Sequence, residues 1–181
     1  MNEKQTTQVL IALGSNLGQR ARQLEDAWRI LCEDVRIRPV GISRFLVTQP
    51  VGGPPGQPDF LNAAALLETS LSPIELFDLL QQIESLGGRQ RHAFWGARTI
   101  DLDILLYGSA ILNTSRLTIP HPRIAWRLFV LKPASEIAPD MVHPVFNLTI
   151  TELLELARMN FRLAGMNNAE RQNVYTNVSL I

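Results

Sequence analysis

From Arg98 to Ile104 the chain reads Arg-Thr-Ile-Asp-Leu-Asp-Ile. In an extended chain, successive side chains point to opposite faces. Ile100, Leu102 and Ile104 therefore fall on one face and Asp101 and Asp103 on the other. The alternation predicts a strand over residues 99–107 with one face on a core, and a strand of this kind needs a sheet around it. Short apolar runs at residues 9–13 and 60–67 predict further strands, and the β-branched stretch 35–47 predicts another, interrupted at Pro39 and Gly41. Gly14-Ser15-Asn16 is expected to break the first run. Between the strands, Leu24, Ala27, Trp28 and Leu31 recur at helical spacing within residues 17–31. A second helix is announced by Ser72, Pro73 and Glu75, carries Leu76, Leu79, Leu80 and Ile83, and ends at Gly87-Gly88.

Residues 110–112 are expected to pair nearby across a turn at Gly108-Ser109. A short helix is expected over residues 124–131, stopped by Pro133, and a last helix opens on the Thr149/Glu152 capping box and runs to Met159. Strands and helices alternate unevenly, with hairpin-like pairs. The fold class expected is α/β in the α+β sense, a mainly antiparallel sheet with helices packed on it. A chain of 181 residues suits one domain, read as a flexible segment 1–8, a folded unit 9–166 and a polar, disordered tail 167–181.

Charge and composition narrow the function. Lys+Arg and Asp+Glu both number 17, so no long-range field draws the chain to nucleic acid, and any anion site must be local. No run of about eighteen apolar residues suggests a membrane span, and the polar segment Met1 to Gln8 lacks the apolar core of a signal peptide. Cys32 is the sole cysteine and cannot form an internal disulfide, which fits a reducing compartment. The expectation is a cytoplasmic protein without nucleic-acid or membrane partners.

Four clusters could carry chemistry. Asp101 and Asp103, about 7 Å apart at Cα on one strand face, could converge on hard cations, or could lie on a solvated sheet face. Arg89, Arg91, His92 and Arg98 immediately precede them. Alone they read as a solvated basic loop, but beside two carboxylates they suit a metal-bound polyphosphate. Arg116, His121 and Arg127 add phosphate donors, although a histidine between Pro120 and Pro122 also suits a structural role. Phe60 and Asn62 share a strand face, and with Thr48 and Phe129 could stack on and read the edge of a flat heteroaromatic ring, or the two phenylalanines could be core. Gly14-Ser15-Asn16-Leu17-Gly18 precedes a helix but lacks the lysine of a Walker loop, and reads as a turn and cap. The stretch 50–58, with four prolines and three glycines, is a stiffened loop.

These stretches occur in an order that resembles the 6-hydroxymethyl-7,8-dihydropterin pyrophosphokinase family. The matching pieces run from Ile11-Ala12-Leu13-Gly14-Ser15-Asn16-Leu17-Gly18 through Gln57-Pro58-Asp59-Phe60-Leu61-Asn62-Ala63, Ile83-Glu84 and Gly88-Arg89-Gln90-Arg91. They continue with Trp95-Gly96-Ala97-Arg98-Thr99-Ile100-Asp101-Leu102-Asp103-Ile104, then Arg116-Leu117-Thr118-Ile119-Pro120-His121-Pro122-Arg123, Arg127-Leu128-Phe129-Val130-Leu131 and Pro133-Ala134-Ser135-Glu136-Ile137-Ala138-Pro139.

The resemblance implies a ferredoxin-like three-layer domain with helices on both sheet faces. It implies an enzyme of folate biosynthesis that moves the pyrophosphoryl group of ATP to a hydroxymethylpterin and releases AMP. By the same resemblance, Asp101 and Asp103 hold two magnesium ions and Arg89, Arg91 and Arg98 face the phosphates. The pterin is assigned Thr48, Pro50, Val51, Phe60, Asn62, Trp95 and Phe129. ATP is assigned Gln81, Glu84, Ile104, Arg116, Thr118, His121 and Arg127. A monomer acting on small molecules is expected. The chain departs from the family pattern at Phe60, where tyrosine is frequent, at Phe94, where a basic residue is usual, and at Ala97, where proline is frequent. Other readings of the same residues are a different two-metal phosphoryl-transfer enzyme, such as a nuclease or nucleotidyltransferase, and a diverged domain that only binds nucleotide.

Overall fold

The computed structural model describes residues 6–51, 54–88 and 98–165. The expected segment 89–97, which holds Arg89, Arg91, Phe94, Trp95 and Ala97, and the expected tail 167–181 lie outside the described residues.

The strands are β1 (Thr7–Ser15), β2 (Ile37–Ile42), β3 (Leu46–Thr48), β4 (Phe60–Thr69) and β5 (Asp101–Tyr107), with helices α1 (Arg20–Glu33) after β1 and α2 (Pro73–Leu86) after β4. These strands form one sheet in the order β2-β4-β1-β5, with β3 continuing the pairing of β2 along β4. Every neighbouring pair is antiparallel. Two β-α-β units are thus interleaved, which is the ferredoxin-like arrangement expected. The interruption expected at Pro39 and Gly41 is a register shift in the β2–β4 ladder, as befits a proline that cannot donate on an edge strand.

Each sheet face buries its own core. Val9, Ile11, Leu13, Leu61, Ala63, Ala65, Leu67, Leu102 and Ile104 pack with Leu24, Ala27 and Leu31 of α1 and Leu76, Leu80 and Ile83 of α2. On the other face, Leu10, Ala64, Leu66, Leu105 and Leu106 pack under α3 (Leu128–Ile137) and α4 (Ile150–Gly165). Helices cover both faces, as expected. The capping box at Ser72 is present in full, and the reciprocal bonds of Thr149 and Glu152 open α4.

Several boundaries differ from the sequence reading. β1 begins at Thr7, inside the segment expected to be flexible, and runs on to Ser15 rather than breaking at Gly14. Gly14 pairs with Asn62 on one side and Asp101 on the other, so cross-strand pairing overrides the local turn tendency. Leu112 does not fold back on β5. It belongs to β6 (Leu112–Asn113), which pairs with β7 (Thr118–Ile119) in a separate ribbon. The helix expected over 124–131 is a 3-10 turn, Ile124–Trp126, followed by α3, and Pro133 lies inside α3 rather than ending it. Pro133 removes only the bond its own nitrogen would give the carbonyl of Phe129, while its ring is buried in the second core. α4 extends past Met159 to Gly165. A small ribbon of β8 (Val142–His143) and β9 (Leu148–Thr149) precedes it.

Candidate active site

Because β5 alternates as expected, Leu102 and Ile104 enter the first core, while Asp101 and Asp103 emerge on the face shared with α3 and α4. Asn62 of β4 emerges on that same face, since its neighbours Leu61 and Ala63 belong to the first core and Ala64 to the second. Gly14 lies between them in the register. A Cβ on Gly14 would stand 3.5 Å from Asn62 Oδ1 and 3.9 Å from the Asp101 Cβ. The glycine thus forms a bare floor between the two side chains, which lie two strand spacings, about 10 Å, apart.

On the Asn62 side, the buried amide donates to Thr48 Oγ1 at 2.8 Å. Thr48 stands opposite Phe60 in the β3–β4 ladder. Phe129 sits in the first turn of α3 against the second core, with the Arg127 guanidinium 5.5 Å from its ring centroid. Pro50 and the exposed Val51 follow β3 into the proline-rich loop. Thr48, Phe60 and Asn62 are therefore one cluster on the structure, and Phe129 borders the same face.

On the aspartate side, Arg98 Nη1 lies 2.5 Å from Asp101 Oδ2. His121 Nε2 lies 3.8 Å from Asp103 Oδ2, beyond hydrogen-bond length. His121 is anchored by its own amide on the Leu105 carbonyl at 2.9 Å, and its Nδ1 accepts from the Arg123 amide at 3.0 Å. Accepting at Nδ1 leaves the proton of the neutral ring on Nε2, facing the carboxylates. Burial, then the charges of Arg127 and Arg123, push the His121 pKa down to about 4, against a smaller opposing pull from Asp101. The ring is therefore a neutral donor at neutral pH. Burial likewise lowers the Arg127 pKa, with Asp103 acting in the opposite sense. Arg98, His121 and Arg127 thus surround the aspartate pair.

The remaining expected nucleotide residues lie along the outer edge of β5 and on α2. Glu84 is buried, with 2% of its surface exposed. Its Oε1 accepts the Leu102 amide at 2.7 Å, and its Oε2 accepts from Gln81 Nε2 at 3.1 Å. The carboxylate therefore clamps the backbone midway between Asp101 and Asp103. Arg116 pairs with Asp78 and lies over the Phe77 ring at 5.8 Å, and Thr118 bonds Asn113. The Ile104 side chain is buried in the first core, on the face opposite Asp101 and Asp103, so only its backbone edge is open to a ligand there. Arg89, Arg91 and Trp95 lie outside the described residues.

Sequence reasoning missed the part played by Asn16, read as turn and cap. It is 1% exposed and bonded both to the loop before β4 and to Arg98. It also passed over Arg123. Neither residue is marked by periodicity or spacing, although both lie in stretches that match the family; for Asn16 a polar residue directly after a buried strand was a further signal.

The fold is thus a ferredoxin-like sheet that brings an acidic pair, guanidiniums and an aromatic–amide cluster to one face. The chain belongs to the 7,8-dihydro-6-hydroxymethylpterin-pyrophosphokinase family, whose model matches residues 10–139. It is 48% identical over 145 residues to the 2-amino-4-hydroxy-6-hydroxymethyldihydropteridine pyrophosphokinase of Haemophilus influenzae, covering 80% of this chain and 89% of that one. It is 46% identical over 131 residues to the protein of the same name in Bacillus subtilis, covering 72% and 78%. Among solved structures it is similar to the HPPK-DHPS of Plasmodium falciparum with pteroate, with a TM-score of 0.68 at 16% identity. That match covers 94% of this chain and 46% of the larger protein, and supports the fold. Among the described residues, no helix is long and apolar enough to cross a membrane.

Proposed function

We propose that this chain transfers the pyrophosphoryl group of ATP to the hydroxymethyl oxygen of 6-hydroxymethyl-7,8-dihydropterin, releasing AMP, as a step of folate biosynthesis. The observation that carries the reading is the single sheet face on which Asn62 with Thr48 and Asp101 with Asp103 flank Gly14. One side offers an amide, a hydroxyl and phenyl rings to a pterin. The other offers carboxylates and cations to a nucleotide polyphosphate.

In the reaction, the pterin hydroxyl oxygen forms a bond to the β-phosphorus, the α–β bridging bond breaks, and AMP departs with the bridging oxygen. The hydroxyl proton is released to solvent, directly or by way of the departing AMP phosphate. Catalysis of this kind is mostly positioning and charge neutralisation. Phe60 and Phe129 are assigned to the pterin faces and Asn62 and Thr48 to its edge, and Pro50, Val51 and Trp95 are assigned to the pterin as well. Arg98 and Arg127, with Arg89 and Arg91, neutralise phosphate oxygens. His121 donates from Nε2 as a neutral group. Gln81, Glu84, Ile104, Arg116 and Thr118 border the nucleotide.

Asp101 and Asp103 fit magnesium. Two carboxylates share a strand face, and no cluster of three or more acidic, histidine or cysteine side chains suited to a metal occurs among the described residues. That donor set leaves most of an octahedral shell to water and phosphate, as magnesium prefers. Two ions bound there would neutralise the phosphate oxygens of ATP. The proposed protein is a cytoplasmic monomer whose partners are its two small-molecule substrates.

The test is AMP formation from ATP and 6-hydroxymethyl-7,8-dihydropterin with and without magnesium, in wild type, Asp101→Ala and Asp103→Ala. Magnesium-dependent AMP in wild type, reduced at least a hundredfold in both variants, is expected. Folded wild type that binds ATP and makes no AMP would refute the enzymatic reading.

A further inference from the structure

We infer that Asn16 is a positioning residue that ties the pterin-side loop to Arg98, so that the two halves of the site are held in one mutual geometry. The inference rests on the pyrophosphokinase reading for its catalytic meaning, and on the hydrogen bonds alone for its structural content.

Asn16 follows β1 directly and is 1% exposed. Its Oδ1 accepts the Arg98 amide at 2.7 Å, while its own amide donates to the Arg98 carbonyl at 3.1 Å. Arg98 is thereby fixed by both of its backbone groups, three residues before the Asp101 carboxylate that its guanidinium meets. The other end of the Asn16 side chain points the opposite way. Its Nδ2 faces the Pro58 carbonyl at 3.3 Å and Gln57 Oε1 at 3.4 Å. These residues end the proline-rich loop, just before Phe60 and Asn62.

The amide orientation is forced. A backbone N–H must meet an oxygen, which assigns Oδ1 to Arg98 and leaves Nδ2 for the Pro58 carbonyl. Asparagine is the short side chain that places an acceptor and a donor on two separate atoms, aimed at two different partners, without carrying charge. Aspartate would keep the acceptor toward Arg98 but would set a carboxylate oxygen against the Pro58 carbonyl and the Gln57 side-chain oxygen. Alanine would leave the part-buried Arg98 amide without this acceptor. Buried polar residues of this kind hold their surroundings tightly only while every bond is made.

Asn16→Asp and Asn16→Ala therefore separate the two arms. Hydrogen exchange of the ligand-free full-length chain reads the tie directly. Asn16→Ala should speed exchange at the Arg98 amide at least tenfold and also loosen the loop amides from Gly56 to Asp59. Asn16→Asp should loosen the loop amides while sparing Arg98. In steady-state kinetics, Asn16→Asp should raise the pterin KM about tenfold with a smaller change in the ATP KM, and Asn16→Ala should lower kcat as well. Ser72→Ala, a remote helix-cap variant, controls for general destabilisation and should move none of these values. Unchanged Arg98 exchange in Asn16→Ala, or unchanged loop exchange in Asn16→Asp, overturns the tie. So do kinetic changes that Ser72→Ala reproduces. A wild type that makes no AMP refutes the functional reading alone, and the exchange measurements then decide the tie by themselves.

Discussion

The clamp between Glu84 and the backbone of β5 invites a quantitative test. Among the described residues β5 is an edge strand, and instead of a neighbouring strand buried Glu84 accepts the Leu102 amide at 2.7 Å. A hydrogen bond of this kind contributes roughly 0.5–1.5 kcal/mol, and a buried donor left unpaired costs about 1–3 kcal/mol. Glu84→Ala should therefore destabilise the fold by about 2–3 kcal/mol. In a chain of this size, that lowers the melting temperature by roughly 5–10 °C. Glu84→Gln keeps an amide oxygen for the Leu102 amide, so its loss should be less than half as large. Because the clamped amide lies between Asp101 and Asp103, Glu84→Ala should also weaken the proposed magnesium-dependent turnover about tenfold or more, and Glu84→Gln should restore most of it. Thermal melts by circular dichroism and AMP release at varied magnesium would measure both effects. If Glu84→Ala melted within a degree of wild type and kept its magnesium dependence, the clamp would be a contact of no energetic consequence.

His121 is largely shielded as the neutral ring, so its folded pKa of about 4 lies below the unfolded 6.5. Between these values the unfolded chain binds more protons. The stabilising contribution is complete above pH 6.5 and is lost as pH falls to about 4, amounting to about 3 kcal/mol over that window in the metal-free protein. Asp101, Asp103, Arg123 and Arg127 all bear on this ring. An NMR titration assigned with His121→Asn should find its midpoint well below 5, and a midpoint near 6.5 would contradict the burial argument. Ser72→Ala removes the acceptor of the Glu75 amide from the α2 capping box and should cost about 1 kcal/mol, seen as a small fall in melting temperature with activity unchanged.

The sequence was sufficient wherever the physics is local. The alternation around Asp101 and Asp103, the capping boxes at Ser72 and Thr149, and the common face of Phe60 and Asn62 follow from strand and helix periodicities. The structure reproduces each of them. The chain's own order of motifs was enough to point to its family. The sequence also misled where local tendencies were outweighed. Gly14-Ser15-Asn16 suggests a turn, yet two flanking strands draw Gly14 and Ser15 into the sheet. Pro133 suggests a stop, yet burial of its ring within α3 offsets one missing hydrogen bond.

Only the tertiary structure decided the long-range pairings. Glu84 meets Leu102, and Asn16 meets both Pro58 and Arg98, across 18, 42 and 82 residues of sequence. The neutral state of His121 likewise depends on burial and on the charges of Arg127 and Arg123. A residue's type states which bonds it can make, but its partners are fixed by which strands lie side by side. That neighbour relation is a property of the whole sheet, because each register depends on the burial of both cores at once.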